Sequence, residues 1–422
     1  MSSSTRRLRS RAVIPTTLLA LVLVAAGCGD DDDGGGGGGT AETGASSEAL
    51  GEEDPAEGEP VTIGYISTGQ TQAIDFTPEI RGAEAAAEYI NERLGGLHGR
   101  PIELIVCEEG GTPAGAQQCG NEMVQEGVAA VVAASPQQVD PWLQIVTAAD
   151  IPVAANYIST GTSLTDPGVN VFFNPLVAFG GPAAYARAND VQNATMVVID
   201  VPAAADPAAR FGPLLFGNAG SEVELVRIAP GTADMTPQFQ AAAESDPDMI
   251  YIIGDVTFCS SALRAIQTLG LDTQVVVLDR CVSQDAAASI PGGFEGVDVI
   301  AQAVFEEGDE EYELYQAVMD AYSDVTDLNR SVSGYQAMLS FARAVNADET
   351  PDLTPAGIQE ALDTMPAQSY PVGGGETFQC NGEAVPSISP NICSSITIVA
   401  TGATDGSLSD YQVLDTEGIY DL

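Results

Sequence analysis

Basic residues are scarce in this sequence, and lysine is missing altogether. All 14 positively charged side chains are arginines, against 60 aspartates and glutamates, which gives a formal net charge of −46. Such strong negative charge repels nucleic acid and anionic lipid headgroups, so we expect neither as a partner. Solubility is the ordinary reason for this acidity, and a high-salt habitat is an alternative.

The usual signatures of an active site are also lacking. His98 is the only histidine, and it lies in GGLHGRP, a turn between a predicted helix and strand. No GxSxG motif, Walker motif, dinucleotide-binding fingerprint or CxxC pair occurs. We therefore predict no catalytic residue, no metal and no cofactor; a secreted enzyme with an unrecognised site is the alternative.

Residues 1–27 are predicted to be a secretion signal. Four arginines within residues 6–11 precede an apolar run from Ala12 to Ala26, which is short for a membrane span. The run leads into LVAAGC, whose small residues before Cys28 resemble the bacterial lipobox. The motif implies cleavage before Cys28 and a lipid on its sulfur, which would anchor the protein to the extracytoplasmic face of the membrane. In the alternative, the signal is cut elsewhere and Cys28 is incidental.

Residues 28–60 are predicted to form a disordered tether. They contain DDDDGGGGGG and further acidic residues, but no aromatic side chain. Such a segment buries too little apolar surface to offset the entropy lost on ordering. The folded part then begins near Val61, and it is long enough for two lobes of ordinary domain size.

Six of the seven cysteines remain once Cys28 carries lipid. Disulfides persist in exported proteins, and six cysteines allow 15 pairings. We predict bonds between sequential neighbours: Cys107 with Cys119, Cys259 with Cys281, and Cys380 with Cys393. Metal ligation is the alternative for these side chains, although a single histidine and no CxxC pair speak against it.

Apolar periodicity indicates an α/β architecture. Two predicted strands, Val61 to Ile66 and Ile102 to Val106, flank a helix whose buried face repeats at three and four residues: Ile80, Ala83, Ala87, Ile90 and Leu94. A crossover of this length makes the two strands parallel. The loop after the first strand then lies at the carboxyl edge of a sheet, where open α/β folds bind ligands.

Four sequence blocks follow one another through this region: GAEAAAEYINERLGGLHGRPIEL, GGTPAGAQQC, EGVAAVV and IPVAANYISTGTSLT. In order and spacing they resemble the branched-chain amino acid (Leu/Ile/Val) binding lipoproteins of ABC transporters. The resemblance implies a type I periplasmic binding protein fold, with two doubly wound lobes of parallel sheet joined by a three-strand hinge. Lobe 1 would comprise residues 61–175 and 303–364, and lobe 2 residues 176–302 and 365–422.

The first lobe offers a candidate anion site at the loop SPQQ, residues 135–138. Ser135 begins this loop just before a predicted helix. A hydroxyl and unpaired backbone N–H groups at a helix amino end suit a carboxylate. An ordinary helix cap would look the same in sequence.

The loop that follows the next predicted strand contains Tyr157, Ser159 and Thr160. In the resembled family this loop presents a backbone carbonyl and a threonine hydroxyl to the ligand's α-amino and carboxylate groups, a role that Ser159 and Thr160 would share. The resemblance also places an aromatic ligand contact near Asp75 or Phe76. A hydrated turn is the alternative for any single hydroxyl.

Three predicted strands of the second lobe end in an acidic residue: Asp200, Asp255 and Asp279. All three should project from one sheet edge towards the cleft. Carboxylates that lie close together repel one another unless a cation or proton neutralises them, so a ligand ammonium would fit. The resemblance aligns Asp279 with a glutamate that holds the ligand's ammonium, whereas Asp255 replaces part of a tyrosine-containing loop. Helix N-caps are the alternative for each aspartate.

These features together predict a lipid-anchored solute-binding protein rather than an enzyme. We expect a monomer that captures an amino acid or related amine- and carboxylate-bearing metabolite between its lobes. The resemblance implies delivery to the permease subunits of an ABC importer. The alternatives within the same fold are a binder of an amide, urea or aromatic acid, and a ligand sensor.

Overall fold

The first sheet comes from the amino-terminal part of the chain. The computed structural model describes residues 6–7, 48–71, 75–347 and 352–422. The strands of this sheet are β1 Arg6–Arg7, β2 Val61–Ser67, β3 Ile102–Glu108, β4 Ala130–Ala133, β5 Val153–Ala155 and β6 Val169–Val171. Their order is β1-β3-β2-β4-β5-β6, and every pair is parallel except β1 with β3. The intervening helices are α1 Thr77–Arg93, α2 Pro113–Glu126 and α3 Val139–Thr147.

A second α/β series follows. Its helices are α4 Val177–Ala188, α5 Pro202–Ala219, α6 Thr236–Ala243, α7 Val256–Leu269 and α8 Gln284–Ser289, with a 3₁₀ turn at Asp279–Cys281. Its parallel strands are β7 Asn193–Ile199, β8 Glu222–Ile228, β9 Met249–Ile253, β10 Gln274–Leu278 and β11 Val297–Ala301. The second sheet winds outwards in both directions from β7, as the first does from β2.

The last segment of the chain packs a helix beside the first sheet and adds two strands to the second. Its helices are α9 Glu310–Tyr322, α10 Leu328–Asn346 and α11 Pro355–Thr364, and its strands are β12 Gln368–Ser369, β13 Thr377–Phe378, β14 Ile398–Gly402 and β15 Leu408–Val413. Helix α10 packs against α1 beside the first sheet. Strands β14 and β15 form a hairpin and complete the second sheet, whose order is β15-β14-β11-β10-β9-β7-β8.

The sequence of each strand matches its place in its sheet. β9, with the sequence MIYII, is buried along its whole length, and so is β4. Continuous apolar runs are typical of parallel strands that helices cover on both faces. The edge strand β8, EVELVRI, instead alternates exposed and half-buried residues over its first four positions.

The amino-terminal boundary of the fold differs from the predicted tether. Leu50 is buried, and backbone N–H groups of Asp54, Ala56 and Gly58 bond carbonyls around the end of α1 and the turn after it. Residues 48–60 therefore pack against the first lobe, and the tether prediction applies at most to residues 28–47, which lie outside the described residues. Leu94, expected on the buried face of α1, is 40 % exposed because it follows the last helical residue.

The segment between α11 and β14 packs against the first sheet. Val171 of β6 forms a parallel bridge with Ile392. The amide of Asn391 donates to the carbonyl oxygens of Ser163 and Asp166 at 2.9 and 2.8 Å. These contacts favour a third crossing after Ser394 rather than near Thr364, although the lobe limits as a whole stay a prediction.

Three disulfides join the same cysteines that the sequence paired. They are Cys107–Cys119, Cys259–Cys281 and Cys380–Cys393. The first ties β3 to α2, the second ties α7 to the turn after β10, and the third closes the segment that bridges to β6. Each disulfide therefore cross-links parts of the chain that are already neighbours in the fold.

Two glycines let α1 and α10 approach closely. A Cβ atom on Gly82 would lie 2.0 Å from the carbonyl oxygen of Ser331, and one on Gly334 would lie 1.8 Å from the carbonyl oxygen of Glu79. Both neighbours are backbone atoms, which cannot move aside as a flexible side chain can. Only glycine at these positions allows the two helices to keep this distance.

Gly334→Ala should lower the free energy of unfolding by about 1–3 kcal/mol, the usual effect of overpacking. Gly217→Ala is the control, since Gly217 lies in α5 with no atom within 4 Å of the added Cβ. That change should be neutral or stabilise by up to about 1 kcal/mol. Urea denaturation measures both, and equal effects would contradict the proposed close approach.

Candidate functional site

Polar side chains gather at the carboxyl ends of both sheets. In the first sheet they lie at or just beyond the ends of β2, β3, β4 and β5: Ser67, Thr68, Glu109, Ser135 and Tyr157. In the second they follow β7, β9 and β10: Asp200, Asp255 and Asp279. Parallel strands end at a common edge, and doubly wound sheets bind ligands at that edge, where the strand order reverses.

Glu79 is a buried carboxylate at the first edge. It lies in the first turn of α1 and is only 1 % exposed. Its Oε2 accepts hydrogen bonds from the hydroxyls of Ser135 and, at 3.2 Å, Ser333. Its Oε1 accepts from Ser67 at 3.3 Å and Tyr65 at 3.4 Å. Burial raises the pKa of Glu79, and the serine hydrogen bonds act against that rise.

A second buried carboxylate, Glu109, lies at the amino end of α3. Its Oε1 accepts the backbone N–H groups of Gln137 and Gln138 and the hydroxyl of Thr68, each at 2.9 Å. Its Oε2 is buried and has no hydrogen-bond partner in the described part of the chain. Burial raises the pKa of Glu109, against the effect of these donors. The chain's own carboxylate therefore occupies the place where helix amino ends bind anions.

These contacts change the expected role of Ser135. Its hydroxyl gives its single proton to Glu79. Pro136 has no N–H, and the next two N–H groups of the loop bind Glu109. The donors that the sequence offered to a ligand carboxylate are thus engaged inside the protein, and Ser135 keeps only its acceptor lone pairs. Ser135 stays a predicted ligand contact, but as a hydrogen-bond acceptor.

The other predicted first-lobe contacts differ in accessibility. Tyr157 is half-buried and donates to a backbone carbonyl at 3.1 Å, and burial raises its pKa. Ser159 is exposed. Thr160 exchanges hydrogen bonds with Ser163, so its hydroxyl closes a local turn. Phe76 is half-buried directly before α1.

Two of the three second-lobe aspartates, Asp200 and Asp255, are exposed to solvent. The carboxylate of Asp200 is 50 % exposed and lies 3.7 Å from the guanidinium of Arg227. Asp255 is exposed and accepts the backbone N–H of Phe258 at 2.9 Å, as the N-cap of α7. Asp255 therefore caps α7, as the helix-cap alternative expects. It also lies at the carboxyl edge of the second sheet, as predicted.

Asp279 has the environment best suited to a charged ligand. Its Oδ1 accepts the backbone N–H of Arg280 at 2.7 Å and the side-chain amide of Gln302 at 3.5 Å. Surrounding protein displaces water from the carboxylate and so raises the pKa of Asp279, while the positive charge of Arg280 opposes the rise. The guanidinium of Arg280 is exposed and forms no ion pair with any described residue.

A chain of side-chain amides connects Asp279 to the first lobe. Gln302 follows β11, and its backbone carbonyl oxygen accepts a hydrogen bond from the side-chain amide of Gln336 in α10 at 3.2 Å. Gln336 accepts from the amide of Asn156 at 3.2 Å, and Asn156 accepts from the hydroxyl of Tyr370 at 2.5 Å. A path of hydrogen bonds therefore runs from Asp279 at the second edge, through Gln302 and Gln336, to Asn156 at the end of β5.

The comparisons with known proteins identify the family. The model of a family described as periplasmic binding protein matches residues 60–389. The chain belongs to the periplasmic binding proteins. No curated protein matches it. Among the described residues of this periplasmic binding protein, no helix is long and apolar enough to cross a membrane.

Solved structures share the fold of this periplasmic binding protein. An ABC transporter substrate-binding protein from Sphaerobacter thermophilus has a TM-score of 0.68 and 19% identity, over 85% of this chain and 97% of that one. The branched-chain amino acid binding protein LivJ from Streptococcus pneumoniae, in complex with isoleucine, has a TM-score of 0.63 and 16% identity, over 84% and 99%. An R. palustris solute-binding protein in complex with 4-hydroxybenzoate has a TM-score of 0.64 and 18% identity, over 85% and 96%. The predicted fold class, two α/β lobes with parallel sheets, is confirmed.

Sequence reasoning missed two polar groups of this binding protein's first edge. Glu79 follows Thr77 and Pro78 at the start of a helix, where acidic residues are common for electrostatic reasons alone. Glu109 belongs to the acidic pair in CEEGG, which looks like a solvated strand end. Glu79 also depends on Ser333, far along the chain, and no local pattern signals such a contact.

The pH dependence of stability tests the burial of Glu79. Because its pKa is raised above the ordinary 4.5, the folded state binds a proton more tightly than the unfolded state. The stability contributed by protonated Glu79 is present below about pH 4.5 and is lost as pH rises through the folded-state pKa. Glu79→Gln has no proton to lose, so its stability relative to the unmodified protein should increase over that window, by about 1.4 kcal/mol for each pH unit between the two pKa values.

Urea denaturation at steps between pH 4 and pH 8 measures this difference. Glu103→Gln is the control, since it removes a half-buried carboxylate at the amino end of β3, away from Glu79. A stability difference for Glu79→Gln that does not change with pH would show that Glu79 titrates normally.

Proposed function

We propose that this protein is the lipid-anchored, extracytoplasmic solute-binding subunit of an ABC importer. Its solute is a small metabolite with an amine and a carboxylate, an amino acid or a relative, held between the two lobes. The observation that carries the proposal is Asp279, a carboxylate with a raised pKa at a sheet edge, next to Arg280 and connected through Gln302 to the other lobe. Membership of the periplasmic binding proteins supports the class of function.

The proposed mechanism is capture by closure. The first edge contributes Ser135, Ser159 and Thr160, with Tyr157 and Phe76 beside them. The second contributes Asp200, Asp255 and Asp279. A solute that contacts both edges binds the closed form better than the open one, and therefore shifts the population towards closure.

The second candidate is a carboxylic acid without an amine. Arg280 supports this candidate, because its exposed guanidinium forms no ion pair with a described residue and can bind the carboxylate of such an acid. The R. palustris protein similar to this chain was crystallised with 4-hydroxybenzoate. Calorimetry with amino acids, amides, polyamines and aromatic acids separates the candidates, because binding only of compounds without an amine would overturn the first.

Asp279→Asn should weaken the binding of an amine-bearing solute by about 2–5 kcal/mol, the usual loss when one partner of a desolvated charge pair is removed. The dissociation constant from isothermal titration measures this loss. Asp272→Asn is the control and should leave the affinity unchanged, since Asp272 is exposed and lies before β10, at the opposite end of that strand from Asp279. Unchanged affinity in Asp279→Asn would leave Asp279 a local structural residue.

The anchor is proposed from the sequence, since Cys28 lies outside the described residues. Two acyl chains at Cys28 would hold the protein at the membrane, within reach of permease subunits. In a bacterial host that processes lipoproteins, Cys28→Ala should abolish palmitate labelling and move the protein from the membrane fraction to the soluble fraction. Ser46→Ala should leave both unchanged, and an unlabelled parent protein would contradict the anchor.

A further inference from the structure

The first edge accepts hydrogen bonds and offers few. We use the term acceptor edge for Thr68, Ser135 and Ser333 together with Glu79 and Glu109. Each of the three hydroxyl groups donates to one of the two carboxylates. A hydroxyl has one proton and two lone pairs, so once the proton is committed only acceptor capacity remains.

No cation among the described residues forms an ion pair with the acceptor edge. The ion pairs among the described residues involve Arg81, Arg93, Arg187, Arg227 and Arg343, and none reaches Glu79 or Glu109. Arg330 of α10 donates to the backbone carbonyl oxygen of Asp75 at 3.1 Å and forms no ion pair with either carboxylate. A ligand carboxylate at this edge would face two like-charged groups without a donor to hold it.

Glu109 supplies the independent sign that a donor is missing. It is 1 % exposed, and its Oε2 has no hydrogen-bond partner in the described part of the chain. A buried carboxylate oxygen without a donor is destabilised, and nearly all such atoms in proteins find a partner. A positive charge on a solute bound in front of the acceptor edge would offset part of this penalty electrostatically.

Two of the edge hydroxyls can meet a solute directly. Ser135 and Ser333 are half-buried, whereas Glu79 behind them is almost fully covered. Both hydroxyls donate to the same oxygen of Glu79, so their lone pairs are free to face outwards. An ammonium or guanidinium at that position would donate to both hydroxyl oxygens and be attracted by the carboxylate behind them.

We propose that the solute has cationic donor groups at both ends, one bound by Asp279 and the other by Ser135 and Ser333 in front of Glu79. The substrate class is a diamine, a guanidino-amine or a basic amino acid. This inference rests on the proposed function: it keeps an amine-bearing solute at Asp279 and adds a second cationic group, in place of a carboxylate, at the first edge. A purely aliphatic amino acid would leave the acceptor edge without a donor, and its carboxylate would be repelled there.

Matched pairs of ligands test the second cationic group. Isothermal titration on the detergent-purified full chain would compare arginine with citrulline, ornithine with norvaline, and putrescine with butylamine. Members of each pair have similar size but differ by one cationic group. We expect the cationic member of at least one pair to bind about 30-fold tighter or more, in line with the effect of a desolvated charge pair.

Variants assign the effect to the acceptor edge. Glu79→Gln should reduce the preference within the pair to less than about 3-fold, because it removes the charge behind the hydroxyls. Glu103→Gln makes the same charge change at the other end of β3 and should keep the preference. Should Glu79→Gln fold poorly, Ser135→Ala combined with Ser333→Ala removes the two outward acceptors without altering the buried charge. Near-ultraviolet circular dichroism of buried Trp142 reports folding in each case.

The outcomes are distinguishable. Tight binding of citrulline or norvaline at the level of its cationic partner would overturn the inference while the proposed function stands. A cationic preference that survives both Glu79→Gln and the double serine variant would also overturn it. Absence of binding by every compound in this panel and in the wider one would overturn the proposed function and the inference together.

Discussion

A carboxylate buried without a cation is the strongest constraint on the first lobe. Glu79 remains in the core only because hydroxyl groups surround it, since an unpaired buried charge is otherwise expensive. Those hydroxyls come from the end of β2, the loop after β4 and helix α10, which are far apart in sequence. The need to satisfy one side chain therefore fixes how the returning helix docks on the sheet. The glycine contacts at Gly82 and Gly334 allow the approach that this hydrogen bonding requires.

Helix α10 links the acceptor edge to the crossing segment. Ser333 and Gln336 are three residues apart, so they lie on the same face of the helix. Ser333 donates to Glu79, and Gln336 donates to the carbonyl oxygen of Gln302, whose own amide contacts Asp279. A solute that binds both Ser333 and Asp279 therefore contacts the two ends of one short path, which runs through Gln336 and Gln302. Such a path would give the proposed closure a structural basis, because both edges are hydrogen-bonded to α10 or to Gln302 beside it.

The fold could be predicted from sequence further than the site. Apolar runs such as MIYII in β9 and the helical repeat around Ile80 and Ile90 are local signals, and they specify parallel strands and crossover helices. The cysteine pairs followed from neighbours in sequence that the topology also places together. The packing of Leu50 and the bridge of Ile392 to β6 were not predictable, because each depends on a tertiary surface that composition does not reveal.

The binding site was harder to predict than the fold, because the same sequence pattern occurs in helix caps and in ligand contacts. An aspartate after a strand caps the next helix or binds a ligand: Asp255 caps α7, whereas Asp279 has a raised pKa and a contact towards the hinge. Ser135 was found as a loop hydroxyl, but the direction of its hydrogen bond depends on Glu79, which helix-start statistics conceal.

Retention of two buried carboxylates calls for a physical reason. Replacing buried charged groups by well-packed apolar residues is often neutral or stabilising, so Glu79 and Glu109 are not explained by stability. Both have pKa values raised by burial, and Glu109 leaves one oxygen without a partner. Perturbed titratable groups of this kind concentrate at functional sites. Both lie at the reversal of strand order in the first sheet, so the cationic solute that we propose would offset their cost in stability.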